Sequence, residues 1–316
     1  MTVEAEPVLD QNWVRNQKPG LVSVIIPTYN RGHIVEQAIE SVLNQTYSQL
    51  ELLVVDDGSS DNTRNVIQKI QDERVQFIER SQNGGQNAAL NTGLEHAEGQ
   101  FIAFLDSDDL WKPEFLEKLV NPLAQIREPA VAYCRAAIME DGELRTMVPF
   151  KLEGWIYPEA LTQGFVSHMI TLVVRRECVS LSGPFDLSFR NCQDDDFCLR
   201  LAKHCPFSLV KEDLAIVRQG EDQVSVQWKD YADGWYRLFR KFEGDIKSHC
   251  GSRQVGAHFS TCFAHYHRAR SPGGMVKSMF RAMIAHPPSG FRLFGKLAGL
   301  VLLYLPRKLG FTKKVA

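Results

Sequence analysis

Three carboxylates stand within four residues at Asp106-Ser107-Asp108-Asp109, directly after an apolar run. Like charges that close repel one another unless a cation or hydrogen-bond donors compensate. Their donor atoms are hard oxygens, which select Mg2+ or Mn2+, and these ions keep positions open for substrate phosphates. A second acidic pair, Asp56-Asp57, closes another apolar run and leads into Gly58-Ser59. Asp and Gly also end strands simply because they favour turns. That plain reading suits Asp56-Asp57-Gly58, but a turn has no use for three carboxylates in four residues. If the two strand ends lie side by side, all five acids converge on one crevice.

Holding such groups requires rigid elements. Val22–Pro27 (VSVIIP), Glu51–Asp56 (ELLVVD), Val75–Glu79 (VQFIE) and Phe101–Asp106 (FIAFLD) are short, β-branched-rich runs, the pattern of strands buried on both faces. Between them, Ile34, Val35, Ala38, Ile39, Val42 and Leu43 share one helical face. Val66, Ile67 and Ile70 follow Asp61, the expected N-cap. Ala89, Leu90, Leu94 and Ala97 mark a third helix before Gly99. This alternation predicts an α/β fold, a mostly parallel, doubly wound sheet with helices on both faces. Ligands of such sheets bind beyond the carboxyl ends of the strands, where Pro27-Thr28-Tyr29-Asn30 and both acidic sequences fall. Further strands are expected at Val131–Cys134 and Ile170–Val174. Helices follow from Tyr231 to His286, broken at Ser271-Pro272-Gly273-Gly274. The expected divisions are a loose leader over 1–20, a main domain over 21–225 (halves 21–110 and 111–225), a helical extension over 226–290 and a tail over 291–316.

Bulk properties narrow the function classes. The chain has 316 residues, 44% hydrophobic and 23% charged, with net charge −2. That balance gives no argument for nucleic-acid binding. Seven cysteines without a CxxC pair read as free thiols of a reducing cytoplasm. The acidic N-terminus is no signal peptide, and no apolar run reaches the roughly 18 residues of a spanning helix. GxGxxG does not follow the first strand, and GxxxxGK[ST] occurs nowhere, so neither a dinucleotide fingerprint nor a P-loop is present.

Five stretches, in order, resemble the family 2 glycosyltransferases of GT-A fold: VSVIIPTYNR, LLVVDDGSSDNT, NGGQNAALNTG, FIAFLDSDDLWKP and GPFDLSFRNCQDDDFCLRLA. The resemblance covers roughly residues 20 to 220. It implies an inverting transfer of a sugar from a nucleotide-sugar donor, a UDP-hexose first, to a polysaccharide or glycolipid acceptor. Pro27, Thr28, Tyr29, Asp56, Asp57 and Asp106 would bind the donor nucleotide, with Tyr29 stacking on the base and Asp57 hydrogen-bonded to it. The DxD motif falls on Asp106 and Asp108. Asp108 would be the main ligand of Mg2+ or Mn2+ and Asp106 the second, while Asp109 is left to start the next helix. The family's later acidic motif matches Gln193-Asp194, making Asp194 the general base. A carboxylate that takes the proton of a sugar hydroxyl supplies about 10²–10⁴ in rate. Three positions depart from the family: Gln193 replaces a glutamate, Leu90 a frequent arginine, and Gly220 a frequent histidine. Arg218, with Gln193, is the substitute diphosphate or acceptor contact.

Other features have a bland reading beside the functional one. Trp111 and Trp155 are sugar-pocket walls or core, with Trp111 the better pocket residue. The span from Val131 to Ser182 would shape the acceptor site. His258, Cys262 and His265, with His267, have the spacing of metal ligands on a helix. Phe259, Phe263 and Tyr266 interleave with them, so packing is the expectation. The tail from Phe291 has six basic residues and no acid. Its apolar run Leu297–Leu305, flanked by Lys296 and Arg307-Lys308, suits an anionic membrane surface and an acceptor carried on lipid. That puts the enzyme in the cytoplasm, at the inner face of the membrane. Two other readings compete: a non-catalytic subunit that binds a nucleotide sugar or a partner, and a sugar nucleotidylyltransferase, for which PTYNRGH is a poor phosphate loop.

Overall fold

The computed structural model describes residues 11–140, 142–147, 152–163, 168–219 and 228–308. Gly220, the first ten residues of the leader and the last eight of the tail lie outside them. The chain divides into two compact units, Met1–Val224 and Ser225–Ala316.

The first unit opens with α1 (Gln11–Arg15), β1 (Lys18–Thr28), α2 (Val35–Leu43), β2 (Leu50–Asp56), α3 (Thr63–Ile67), β3 (Val75–Glu79), α4 (Gln86–His96) and β4 (Gly99–Phe104). It continues with β5 (Leu110–Trp111), α5 (Phe115–Gln125), β6 (Val131–Glu140), β7 (Glu143–Thr146), α6 (Tyr157–Gln163), a 3-10 turn at Met169–Thr171, β8 (Leu172–Arg175), α7 (Arg176–Ser182), α8 (Gln193–His204) and β9 (Phe207–Arg218). The sheet order is β3-β2-β1-β4-β8-β6-β9-β5, with β7 on β6. The first four strands are parallel, with Thr28 beside Asp56 and Ile25 beside Phe104. Beyond β4 the sheet is mixed: β8 runs antiparallel to β4 and β6, whereas β9 runs parallel to β6. The central strands are buried on both faces, with Val24, Ile25, Leu53, Val54 and Ile102 all at 0% exposure. At roughly 1.5–3 kcal/mol per buried aliphatic side chain, they anchor the layer that carries the site.

Several expectations change at this level. Residues 11–20, expected within a loose leader, are built into the fold. Trp13 Nε1 donates to the Leu94 carbonyl at 3.0 Å, and the Arg176 guanidinium lies 4.1 Å over the Trp13 ring. Asp61 was expected to cap α3, but the capping position falls one residue later, at Asn62; Asp61 Oδ1 still accepts the Thr63 N–H at 2.9 Å. Trp111, expected to line a sugar pocket, is core. It is 4% exposed, its ring stacks 4.0 Å from Phe115, and its Nε1 donates to the Ile170 carbonyl.

The second unit is helical: α9 (Trp228–Lys241), α10 (Glu243–Cys250), α11 (Ser252–Arg268), α12 (Pro272–Ala285) and α13 (Pro287–Lys308). The expected break between helices falls at 269–271, and Pro272 opens α12, where its missing N–H costs nothing. α13 runs straight through the expected division at 290/291, anchored by Leu293 at 3% exposure. His258 stacks 4.2 Å from Phe239, Cys262 is fully buried, and His265 lies edge-on to Tyr231. These residues pack the bundle as expected, and among the described residues they form no metal-ligand group.

Candidate active site

The carboxyl ends of β1, β2 and β4 lie side by side in the parallel half of the sheet, and their loops are laced together. Asn30, at φ 53°, donates its N–H to Ser59 Oγ, while its Oδ1 accepts the Ser60 N–H at 2.8 Å. Ser59 in turn donates to Asp56 Oδ1 through both its N–H and its hydroxyl. Asp57 is 3% exposed, and both its oxygens are engaged: Arg80 Nη1 at 2.5 Å, the Gly84 N–H at 3.1 Å and the Gly85 N–H at 2.7 Å. Gly85 adopts φ 88°, which a side chain would resist, and so turns its N–H onto the carboxylate. Asp56 and Asp57 therefore build the wall of the crevice, and the expected convergence of five carboxylates reduces to three.

Those three are Asp106, Asp108 and Asp109, whose nearest oxygens lie within 4.8 Å of one another. Asp109 was expected to start a helix. It instead precedes β5, is 6% exposed, and accepts the Arg218 backbone N–H at 3.0 Å. Pairing of β5 with β9 turns it inward. Burial first, and then the charges of Asp109, Asp194 and Asp108, push the Asp106 carboxyl well above the usual range. Burial likewise pushes Asp109 up to about 7, against the pull of the Arg218 N–H. Two cations flank the cluster. Arg31 Nη2 stands 3.9 Å from Asp108 Oδ2, and Arg218 donates from Nε to the Asp108 carbonyl and from Nη1 to Gln37 Oε1 at 2.5 Å.

Asp194 lies in the first turn of α8, entered through Cys192 in the left-handed region at φ 61°. Burial raises its pKa, opposed by the Met169 N–H at 3.2 Å and the His168 charge. Its own charge acts on both Asp106 and Asp109, which puts it within electrostatic reach of the cluster. Its neighbours differ from it. Asp196 is tied to Arg200 at 2.9 Å, while burial and the charges of Asp194 and Asp196 push Asp195 up to about 8. Gln193 donates to Gln86 Oε1 at 3.1 Å, and Gln86 donates to Asp106 Oδ1 at 2.8 Å, which joins the start of α8 to the cluster.

Sequence reasoning missed the residues of α4 that fix this arrangement. Asn91 exchanges two hydrogen bonds with the Phe185 backbone, at 2.8 and 2.9 Å. Asn87 donates to the carbonyls of Asp186 and Phe189. Both asparagines are 5% exposed, and polar side chains at core positions of an apolar helix were the available signal. Beneath them Phe185 stacks on Phe197 of α8 at 4.2 Å, and both meet Phe104, the last residue of β4. Leu90 is fully buried and contributes only packing. Thr28 and Pro27 are buried at the end of β1, Tyr29 is 46% exposed, and Trp155 is 64% exposed.

The model of glycosyl transferase family 2 matches residues 23–172. A glycosyltransferase named for teichuronic acid biosynthesis, TuaG of Bacillus subtilis, is 32% identical over 72% of this chain and 90% of its own length. The chain belongs to glycosyl transferase family 2. It is a glycosyltransferase with the GT-A fold. The Escherichia coli UDP-Glc:alpha-D-GlcNAc-diphosphoundecaprenol beta-1,3-glucosyltransferase WfgD is 48% identical over a shorter stretch, 32% of this family 2 chain and 40% of that protein. Among solved structures, S. aureus TarS 1-349 in complex with UDP-GlcNAc superimposes with TM-score 0.65 at 18% identity, over 86% of this chain and 83% of that one.

Proposed function

We propose that this family 2 enzyme transfers a hexose, with inversion, from a UDP-sugar to a hydroxyl of a saccharide acceptor carried on a lipid diphosphate. The observation that carries the reading is the cluster of Asp106, Asp108 and Asp109 within reach of the charge of Asp194. Burial opposes the ionisation of Asp106 and Asp109, a cluster of carboxylates so placed suits a divalent cation, and oxygen donors suit Mg2+ or Mn2+. Asp108 and Asp109, with Asp106, would hold it. When bound, such an ion offsets the negative charge that gathers on the departing diphosphate.

The remaining work falls to the chain itself. Tyr29 offers an exposed ring to the base, beside Thr28, whose buried Oγ1 has no hydrogen-bond partner among the described residues. Asp57 holds the Arg80 and Gly84-Gly85 wall against which the base would rest. Asp194 takes the proton of the acceptor hydroxyl as its oxygen bonds to the anomeric carbon, and the bond from that carbon to the diphosphate oxygen breaks on the opposite face. A raised pKa suits a base working near neutrality. Arg31 and Arg218, both beside Asp108, would meet the charge of the leaving diphosphate.

The lipid-linked acceptor is supported by the name of the Escherichia coli relative. Among the described residues, no helix is long and apolar enough to cross a membrane. All seven cysteines are free thiols. A peripheral enzyme on the cytoplasmic face, held by the basic and apolar end of α13, accommodates both facts.

The test is a panel of nucleotide sugars with Mn2+, scored for thermal stabilisation and for transfer. UDP with Mn2+ should stabilise the wild type and fail to stabilise Asp108→Ala. Asp194→Asn should keep that stabilisation and lose about 10²-fold or more in turnover. Equal stabilisation of Asp108→Ala, or full turnover by Asp194→Asn, would sink the assignment.

A further inference from the structure

The helical unit carries chemistry that sugar transfer leaves unused. From Ile246 to Ala316 the sequence has twelve lysines and arginines and no aspartate or glutamate. Two of these cations are neutralised, Lys277 by Asp233 and Arg281 by Glu243. Arg253, Arg268, Arg292 and Lys296 are not: among the described residues, none of them forms an ion pair. These four, with His267 and His286, line a cleft of about 730 Å³ between α11 and α13.

The cleft follows from the residue spacing. Arg253 and Arg268 sit four turns apart on α11, and the positions between them that line the cleft include three small ones, Ala257, Ser260 and Ala264, beside Phe263 and His267. Small side chains there leave room for a ligand. Across the gap, Arg292 and Lys296 stand one turn apart on α13. The floor is apolar, with Phe263 4% and Leu293 3% exposed. A basic face that merely needed solvation would be convex, or laced with acids. This one is concave and has no carboxylate in its lining, and its volume falls within the roughly 300–1,000 Å³ of small-molecule sites. Four fixed cations around a low-dielectric concavity focus a positive potential into it, and Arg in particular fits phosphate oxygens in pairs.

We propose that this cleft binds a phosphate or diphosphate group, held by Arg253, Arg268, Arg292 and Lys296, with an apolar portion of the ligand over Phe263 and Leu293. The site shares no residue with the acidic cluster and does not depend on the transfer reading. A lipid headgroup and a free phosphate compound present the same chemistry, so both enter the test. The full chain in EDTA is titrated with inorganic pyrophosphate by calorimetry, and with phosphatidylcholine vesicles with or without phosphatidylglycerol by flotation. The variants are Arg292→Gln/Lys296→Gln and Arg253→Gln, with Lys247→Gln as the control outside the cleft. All of these side chains are solvent-exposed, so the fold should survive, and a circular dichroism melt matching the wild type checks that it has. At least one probe should bind, and both cleft variants should weaken it at least about tenfold while Lys247→Gln leaves it unchanged. Binding of pyrophosphate identifies a soluble phosphate compound as sufficient, and binding of anionic vesicles alone identifies a lipid headgroup. Failure of both probes to bind, unchanged binding by the cleft variants, or equal loss in Lys247→Gln would overturn the site.

Discussion

Replacing Asp109 by Asn should make the metal-free enzyme more stable and the metal-loaded enzyme less so. The Asp109 carboxyl is pushed from 3.8 up to about 7, chiefly by burial. A folded value above the unfolded one means that protonation supports the fold. That support is complete below 3.8 and is lost as pH rises through about 7. At roughly 1.4 kcal/mol per pH unit, ionising this group costs the fold up to about 4 kcal/mol. Local relaxation and water entry should leave about 1–3 kcal/mol of that cost. Asn is neutral at every pH and can still accept the Arg218 N–H that Asp109 accepts at 3.0 Å. In EDTA at pH 8 the variant should therefore melt higher by roughly 3–8 °C, and the gap should shrink towards pH 5. With Mn2+ at about a thousand times its Kd the order should reverse, because the cation then adds about 4.1 kcal/mol to a protein that binds it and the variant has lost one ligand oxygen charge. Scanning calorimetry over that pH range, with EDTA and with Mn2+, reads both effects. A variant no more stable than wild type in EDTA at pH 8, or equally stabilised by Mn2+, would refute the electrostatic account of the cluster.

Three further outcomes test the scaffold. Asn91→Ala leaves the buried Phe185 N–H and carbonyl unpaired, so denaturant melts should lose about 1–3 kcal/mol, and kcat should fall while UDP binding holds. Gly93→Ala would put a methyl 2.4 Å from Ile25 Cγ2, and the overpacking should cost about 1–3 kcal/mol; an unchanged melt would mean that α4 rides further from β1 than described. Burial works against the Asp233 charge, but Tyr266, Lys277 and Lys229 donate to it and hold its carboxyl below the usual value. That stability is present above 3.8 and lost as pH falls further, so Asp233→Asn should flatten the acid end of the stability profile by about 1 kcal/mol after solvent screening. Circular dichroism melts of wild type and variant between pH 3 and 6 are the check.

The sequence reports where the chain can bury apolar surface and where it carries more charge than a turn requires. Strands buried on both faces have a local signature, so β1 to β4 were legible from their own residues. The insertion of β8 between β4 and β6 was not, because an apolar run does not name its partner. The same limit governs the site. Three aspartates after β4 announced a cluster, but the role of each depends on donors that arrive from far along the chain. Asp109 looked like a helix start because a helix does follow, and only the pairing of β5 with β9 brings the Arg218 N–H to its oxygen. Trp111 looked like a pocket wall because it follows acids, but the Ile170 carbonyl takes its indole N–H and holds the ring in the core. Asp57 has the local pattern of a ligand contact, yet Arg80 and Gly84-Gly85, from the loop after β3, occupy both its oxygens. These acids all follow apolar strand sequences and differ by nothing that their neighbours in sequence record. What separates them is desolvation without enough donors: among the described residues Asp57 has three donor residues and Asp109 one, and burial pushes the Asp109 carboxyl up to about 7.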